Sequence, residues 1–321
     1  MSRKLDFIVA GVARTGTTAI ARYLSAIETC HCGVELFSPN EDHSELLAPD
    51  CFTELSDPAN ANRARAAKPR HAAYSLGELQ RKGNRITVWG NKTPNYFHRL
   101  QGIMDELAGG KGILAWRKVR ETAMSFQRRS TNPNDNFFDG RNGLYAALDM
   151  MLITRVVVGL TDHDLMIVPN GHLVADWEGS MRTVATYIAP DTPVVFENMV
   201  VEDLNAAKDR KTETREASDI ELTRVDEIAV RFVEKSGLDT LFDRPGPFLL
   251  SKVRSDLIAV LNELPPNLLR FAELRSAAHS NPAVAEYFPK WQKHAQSVLD
   301  SIPKSRLKDP AAPRQARSAK P

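Results

Sequence analysis

Cysteine is scarce: the 321-residue chain has three, Cys30, Cys32 and Cys51. An odd, low count without framework spacing reads as reduced thiols in a cytoplasmic protein. Cys30 and Cys32 have the spacing of half a metal site, but no second His/Cys cluster completes it, so no metal is expected. Long apolar runs are also lacking. No stretch approaches the roughly 20 apolar residues that a membrane helix needs. The first apolar run, at residues 7–12, is too short for a signal core and leads at once into a glycine turn. Net charge is only +2, which gives no argument for nucleic acid or an acidic polymer as partner. What remains is a chain 42% apolar, able to bury a sizeable core.

One further absence is more specific. In "FIVAGVARTGTTAIARYL", Gly11 and Gly16 frame four residues, as in a phosphate-binding loop. The Lys such a loop carries after its second glycine is missing, and Thr17 stands there. The loop's cation is instead Arg14, inside the turn. The run before Gly11 suits a buried parallel strand. Beyond Thr17, apolar residues recur at Ile20, Tyr23, Leu24 and Ile27 with helical spacing. A glycine-containing turn between strand and helix offers backbone N–H groups to an anion. Thr15, Thr17 and Thr18 add hydroxyls. A nucleotide triphosphatase would also need the Lys and a strand-end acid for Mg²⁺; here the strand predicted at 113–116 ends in Arg117. The pattern favours an anionic donor held by cations and hydroxyls, without a metal.

Strands are expected at 5–12, 85–89, 113–116 and 165–168, with an edge strand at 194–197. Helices are expected at about 94–107, where Thr93-Pro94 is a natural start, and at 119–130, 144–160, 176–188 and 220–235. Residues 52–84 read as loop with at most a short helix, and 132–142 as loop. Strands alternating with helices predict a parallel α/β sheet. Residues 251–300 read as helix, and 302–321, basic and proline-rich, as disordered. Two more segments converge on the loop. "GNKTPNYF" brings Lys92 to the carboxyl edge of the sheet, where ligands of open α/β folds gather. "AWRKVRETAMSFQRRS" places Arg117 at a strand end and Ser125 two helical turns on, able to hold a second phosphate.

Together these segments resemble the sulfotransferase family that uses 3′-phosphoadenosine 5′-phosphosulfate (PAPS). "ARTGTTAI" is similar to its 5′-phosphosulfate loop, "NKTPNYF" to its second stretch, and "WRKVRETAMS" to its 3′-phosphate motif. "LVADWEGSMRTVATYIA" and "GLDTLFD" resemble later family segments. The likeness runs over about residues 5–243. It implies a P-loop-like three-layer α/β fold with a central parallel sheet. The sulfotransferase domain would span 1–243, a helical C-terminal extension 244–301, and a basic tail 302–321. It also implies PAPS as donor, adenosine 3′,5′-bisphosphate as product, and no metal. Arg14, Thr15, Gly16, Thr17, Thr18, Arg117 and Ser125 would hold the donor.

Two departures stand out. Many relatives carry Glu, the general base, where this chain has Asn91. The basic loop that often covers the 3′-phosphate is matched only by "AKDRKTE" at 207–213. The base is therefore expected to be Glu35, in a turn after the first helix, with His43 and His98 behind it. Arg14 and Lys92 would stabilise charge during in-line transfer to a hydroxyl of a sugar, a glycolipid or a small alcohol. Acceptor choice would lie in residues 40–84 and in the extension. A phosphotransferase or kinase of the same loop fold, and a nucleotide-binding protein without turnover, are the alternatives. Oligomeric state is left open.

Overall fold

The computed structural model describes residues 3–36, 49, 51–52, 69–107, 109–135, 141–198, 200, 202 and 220–280. Strand β1, Phe7–Gly11, is buried along its whole length and feeds a turn into helix α1, Thr17–Leu24. Strand β2, Cys30–Val34, follows directly. Helix α2 spans Pro69–Lys82 and strand β3 Val88–Lys92. A 3-10 stretch, Pro94–Arg99, runs into α3, Leu100–Glu106. Then come β4, Lys111–Trp116; α4, Val119–Ser130; α5, Gly143–Gly159; and β5, Leu165–Pro169. Helices α6, Asn170–Ala175, α7, Trp177–Ile188, α8, Arg224–Lys235, and α9, Leu238–Phe242, lead to β6, Phe248–Leu249. Helices α10, Arg254–Glu263, and α11, Pro266–Ser280, complete the described chain.

The sheet order is β2-β3-β1-β4-β5-β6, with the first five strands parallel and β6 antiparallel to β5. Strand residues alternate between two cores. Phe7, Val9, Ile113, Ala115, Met166 and Val168 face α1 and α7, in one cluster with Ile20, Leu24, Met181 and Val184. Ile8, Ala10, Leu114, Trp116 and Ile167 face the other way, onto α3, α4 and α5. A sheet covered on both faces gives three layers and accounts for the unbroken apolar run of β1. Helix α5 is buried over most of its circumference, with only Arg155 and Gly159 exposed. Helices α4, α8, α10 and α11 surround it. Val253, Leu257, Leu264, Leu268 and Phe271 of the C-terminal helices lie in that same core.

The local expectations are corrected at four places. β2 is a strand, so Glu35 follows a strand end and not the first helix. Residues 69–82 form a 14-residue helix where loop was expected. β3 starts later than expected, which makes Lys92 its last residue. Residues 194–197 make a single antiparallel bridge, Ile27 to Phe196, while the edge strand is Phe248–Leu249. His43, residues 207–213 and residues 302–321 lie outside the described residues.

Lys82 explains how α2 docks. Its side chain is fully buried, and the ammonium donates to the carbonyl oxygens of Ile27 at 2.7 Å, Cys30 at 2.6 Å and Ser25, with Glu78 at 3.5 Å. Those carbonyls lie at the turn from α1 into β2, where Ile27 O also accepts from the Cys30 N–H at 3.1 Å. A buried carbonyl needs a donor, and one ammonium supplies three.

Candidate active site

The carboxyl ends of β2, β3, β1, β4 and β5 lie side by side. Register pairs Val34 with Lys92, Val9 with Lys92, Gly11 with Ala115, and Trp116 with Pro169. Glu35, Lys92, the Gly11–Gly16 turn, Arg117 and Asn170 therefore emerge on one edge.

In the turn, Gly11 has φ 154° and Gly16 φ 104°. A Cβ on Gly11 would stand 2.9 Å from both Ala115 O and Thr15 Oγ1, so the turn closes only because that position is bare. Thr15 is buried; its N–H and hydroxyl both donate to Val12 O, at 3.2 and 2.7 Å. It shapes the turn from inside. No side chain caps the start of α1, and its first turn has no acid. The amides of Thr17 and Thr18, which have no intrahelical partners, and the positive helix end face outward as an anion site. Thr17 is buried and Thr18 half-buried.

Arg14 takes φ 72°, a left-handed conformation costly to a residue with a Cβ. Its Nε donates to Ser125 Oγ at 3.1 Å, across 111 residues of sequence. Arg117 NH1 reaches Arg14 O at 3.4 Å, and its Nε donates to Glu121 Oε2 at 2.8 Å. Partial desolvation of the Arg14 head, and then the charges of Arg129, Arg117 and Arg128, hold its pKa below the ordinary arginine value, with Asp135 opposing. Like charges gathered in this way anticipate an anion.

On the other side of β1, Lys92 is fully buried and its Nζ donates to Glu35 Oε1 at 2.5 Å. Glu35 Oε2 lies 3.7 Å from Nδ1 of His71, in the first turn of α2. Glu35 also has positive φ, 50°, and its N–H donates to Lys92 O at 2.8 Å. Backbone strain of this kind persists where the surroundings hold a side chain in place. Asn91 is fully buried, and its amide donates to the Tyr96 hydroxyl at 2.5 Å. It ties down the 3-10 stretch. His98 is bonded to Ser276 of α11 at 2.7 Å.

Between the ends of β4 and β5 opens a cavity of about 280 Å³, lined by Trp116, Arg117, Asn170, His172, Asp239 and Phe242 among others. Both Asp239 oxygens accept from the Val119 N–H at 3.1 Å, capping α4 beside Arg117. Burial first, with Glu234 and Glu121 adding to it, pushes the Asp239 carboxyl up to about 6, against the Val119 bond and Lys118. The folded protein thus keeps this proton up to about pH 6, whereas the unfolded chain releases it near 3.8. Asp239 therefore costs the fold stability as pH rises through that window. Asp239→Asn keeps an oxygen for Val119. It is expected to be more stable than wild type at pH 7, by about 1–3 kcal/mol, and equal to it near pH 4 in urea unfolding.

The structure thus brings Arg14, Gly16, Thr17, Thr18, Ser125 and Arg117 into one surface and sets Lys92 with Glu35 beside it. Sequence reasoning missed His71, Asn170 and Asp239. Asn170 was within reach: it stands two residues past the predicted strand 165–168, where Arg117 stands one residue past 113–116.

The profile described as "Sulfotransferase family" matches residues 6–191, more than half of the chain. The chain belongs to the sulfotransferase family. Among solved structures, the sulfotransferase domain from the Synechococcus PCC 7002 olefin synthase is 14% identical, with 71% of this chain and 94% of that one covered and a TM-score of 0.40. Sulfotransferase STF1 from Mycobacterium tuberculosis H37Rv is 15% identical, with 64% and 72% covered and a TM-score of 0.39. The sulfotransferase domain from the curacin biosynthetic pathway is 14% identical, with 62% and 77% covered and a TM-score of 0.35. No curated protein matches the chain. Among the described residues, no helix is long and apolar enough to cross a membrane.

Proposed function

We propose that this sulfotransferase moves a sulfuryl group from PAPS to an acceptor hydroxyl by in-line displacement, in the cytoplasm and without a metal. One observation carries the reading. Arg14 of the loop touches Ser125, and Arg117 touches Arg14, so two motifs a hundred residues apart form one cationic surface. Its two ends match the two anionic ends of PAPS. Thr17, Thr18, the amide of Gly16 and Arg14 take the phosphosulfate, with Thr15 fixing the turn. Arg117 and Ser125 take the 3′-phosphate. The donor supplies the sulfuryl group; the chain supplies position, charge and a base.

In this scheme Glu35 accepts the acceptor hydroxyl's proton as its oxygen attacks sulfur. Lys92 and Arg14 stabilise charge on the sulfuryl and leaving oxygens, and burial of Lys92 strengthens that effect. The acceptor is a carbohydrate, a glycolipid or a small alcohol. It is selected by the segment 40–84, which holds His71, and by the helices after residue 244 beyond the transferase domain.

Adenosine 3′,5′-bisphosphate is expected to stabilise the protein without divalent metal, by about 2.7 kcal/mol at a hundred times its dissociation constant. Thermal shift reads this directly. Stabilisation by ATP alone, and only with Mg²⁺, would sink the proposal. Arg117→Ala is expected to weaken the bisphosphate roughly ten- to 150-fold and to leave adenosine 5′-phosphosulfate, which has no 3′-phosphate, nearly unaffected.

A further inference from the structure

Asn170 has no part in the scheme above, yet its side chain lies against the phosphate-binding turn. A Cβ built on Gly16 would fall 2.5 Å from Asn170 Nδ2 and 3.5 Å from its Cγ. The amide therefore rests on the residue that opens α1. The fold dictates this placement. β5 is parallel to β4 with Pro169 opposite Trp116, so Asn170 leaves its strand level with Arg117. Asn170 also lines the cavity between those strand ends, together with Arg117. It is half-buried, and among the described residues its amide has no hydrogen-bond partner. An amide carries two donors and one acceptor, and here they face the open cavity, where a ligand can take them.

The surrounding groups say what such an amide meets. On one side are the unpaired first amides of α1 and the Arg14 head; on the other is Arg117. These are donors on one edge; the carboxylates that also line the cavity, Glu121, Asp239 and Asp243, are engaged by Arg117, the Val119 N–H and Lys118. A carboxamide among the donors adds a hydrogen bond to an anion without adding charge. We propose that Asn170 is a donor-binding residue whose side-chain N–H contacts the 5′-phosphate oxygens of the nucleotide. It would thereby join the turn to the cavity lined by Trp116, Arg117 and Phe242. The inference rests on the donor reading above but assigns a contact that reading does not require.

The test is calorimetric titration with two nucleotides, adenosine 3′,5′-bisphosphate and adenosine 3′-monophosphate, which lacks the 5′-phosphate. Asn170→Ala is expected to weaken the bisphosphate roughly tenfold or more, the range of a hydrogen bond to a charged group. The monophosphate should change less than about twofold. Asn170→Asp, nearly the same shape, sets a carboxylate against the phosphate and should weaken the bisphosphate further. Asn170→Leu, close in volume, keeps the comparison available if the alanine variant folds poorly. Unchanged bisphosphate affinity in the alanine and leucine variants would overturn the proposal. Equal losses for both nucleotides would also overturn it, by showing that Asn170 acts only on cavity shape. If wild type bound neither nucleotide, the donor reading itself would fall, a result distinguishable from both.

Discussion

Glu35→Gln is expected to slow sulfuryl transfer at least ~100-fold, the lower end of what a positioned general base supplies. Donor affinity should stay within about twofold of wild type. Glu35 follows β2 in a strained conformation, between the buried Lys92 ammonium at 2.5 Å and the His71 ring at 3.7 Å. Glutamine keeps the shape and a hydrogen-bond acceptor for Lys92 but cannot take a proton at neutral pH. The measurement is kcat at saturating donor and acceptor, with mass spectrometry detecting the gain of one sulfuryl group across an acceptor panel. Wild-type turnover in the variant would remove Glu35 from the role. His71 would then be the next residue to test, ahead of His98, whose ring is held by Ser276.

Lys92→Met should cost about 100- to 1,000-fold in kcat, the loss seen when one preorganised donor to a developing charge is removed. Lys92 is fully buried, so water cannot replace it. Methionine fills similar space, which separates lost charge from lost volume. The variant also leaves Glu35 without its cation, so some loss of stability is expected in urea unfolding. Because the two side chains touch, the double variant should lose less than the product of the single losses. A raised donor KM with unchanged kcat would show that Lys92 binds the ground state only.

The contact between Arg14, Ser125 and Arg117, on the side proposed for the donor, was largely legible in the sequence, because it is written in short-range signals. A glycine-framed turn, a strand end and a two-turn offset on a helix fix Arg14, Arg117 and Ser125 without long-range information. The side proposed for the base was not legible. β2 reads Cys-His-Cys-Gly-Val; Cys30, Cys32 and Val34 alternate onto one core, but five residues with a histidine and a glycine among them are a weak strand signal. Helix α2 is more instructive. Its buried face is His71, Ser75, Glu78 and Lys82, spaced as a helix face should be. Every one of those residues is polar, so a search for apolar periodicity passes over it. Asn91 likewise marks a departure in sequence without showing its meaning. It is fully buried against the Tyr96 hydroxyl, whose pKa burial pushes up to about 12. A glutamate there would meet a burial penalty before it met a substrate.

Helix α5 has a consequence for how this protein is inherited and how it must be handled. The family signature ends at residue 191, yet α5 lies inside that span and is covered partly by α8, α10 and α11, which lie beyond it. A recombinant fragment trimmed to the signature would open the apolar flanks of its most central helix to water and invite aggregation. The span that matches the family profile and the span that packs around this helix are therefore different lengths.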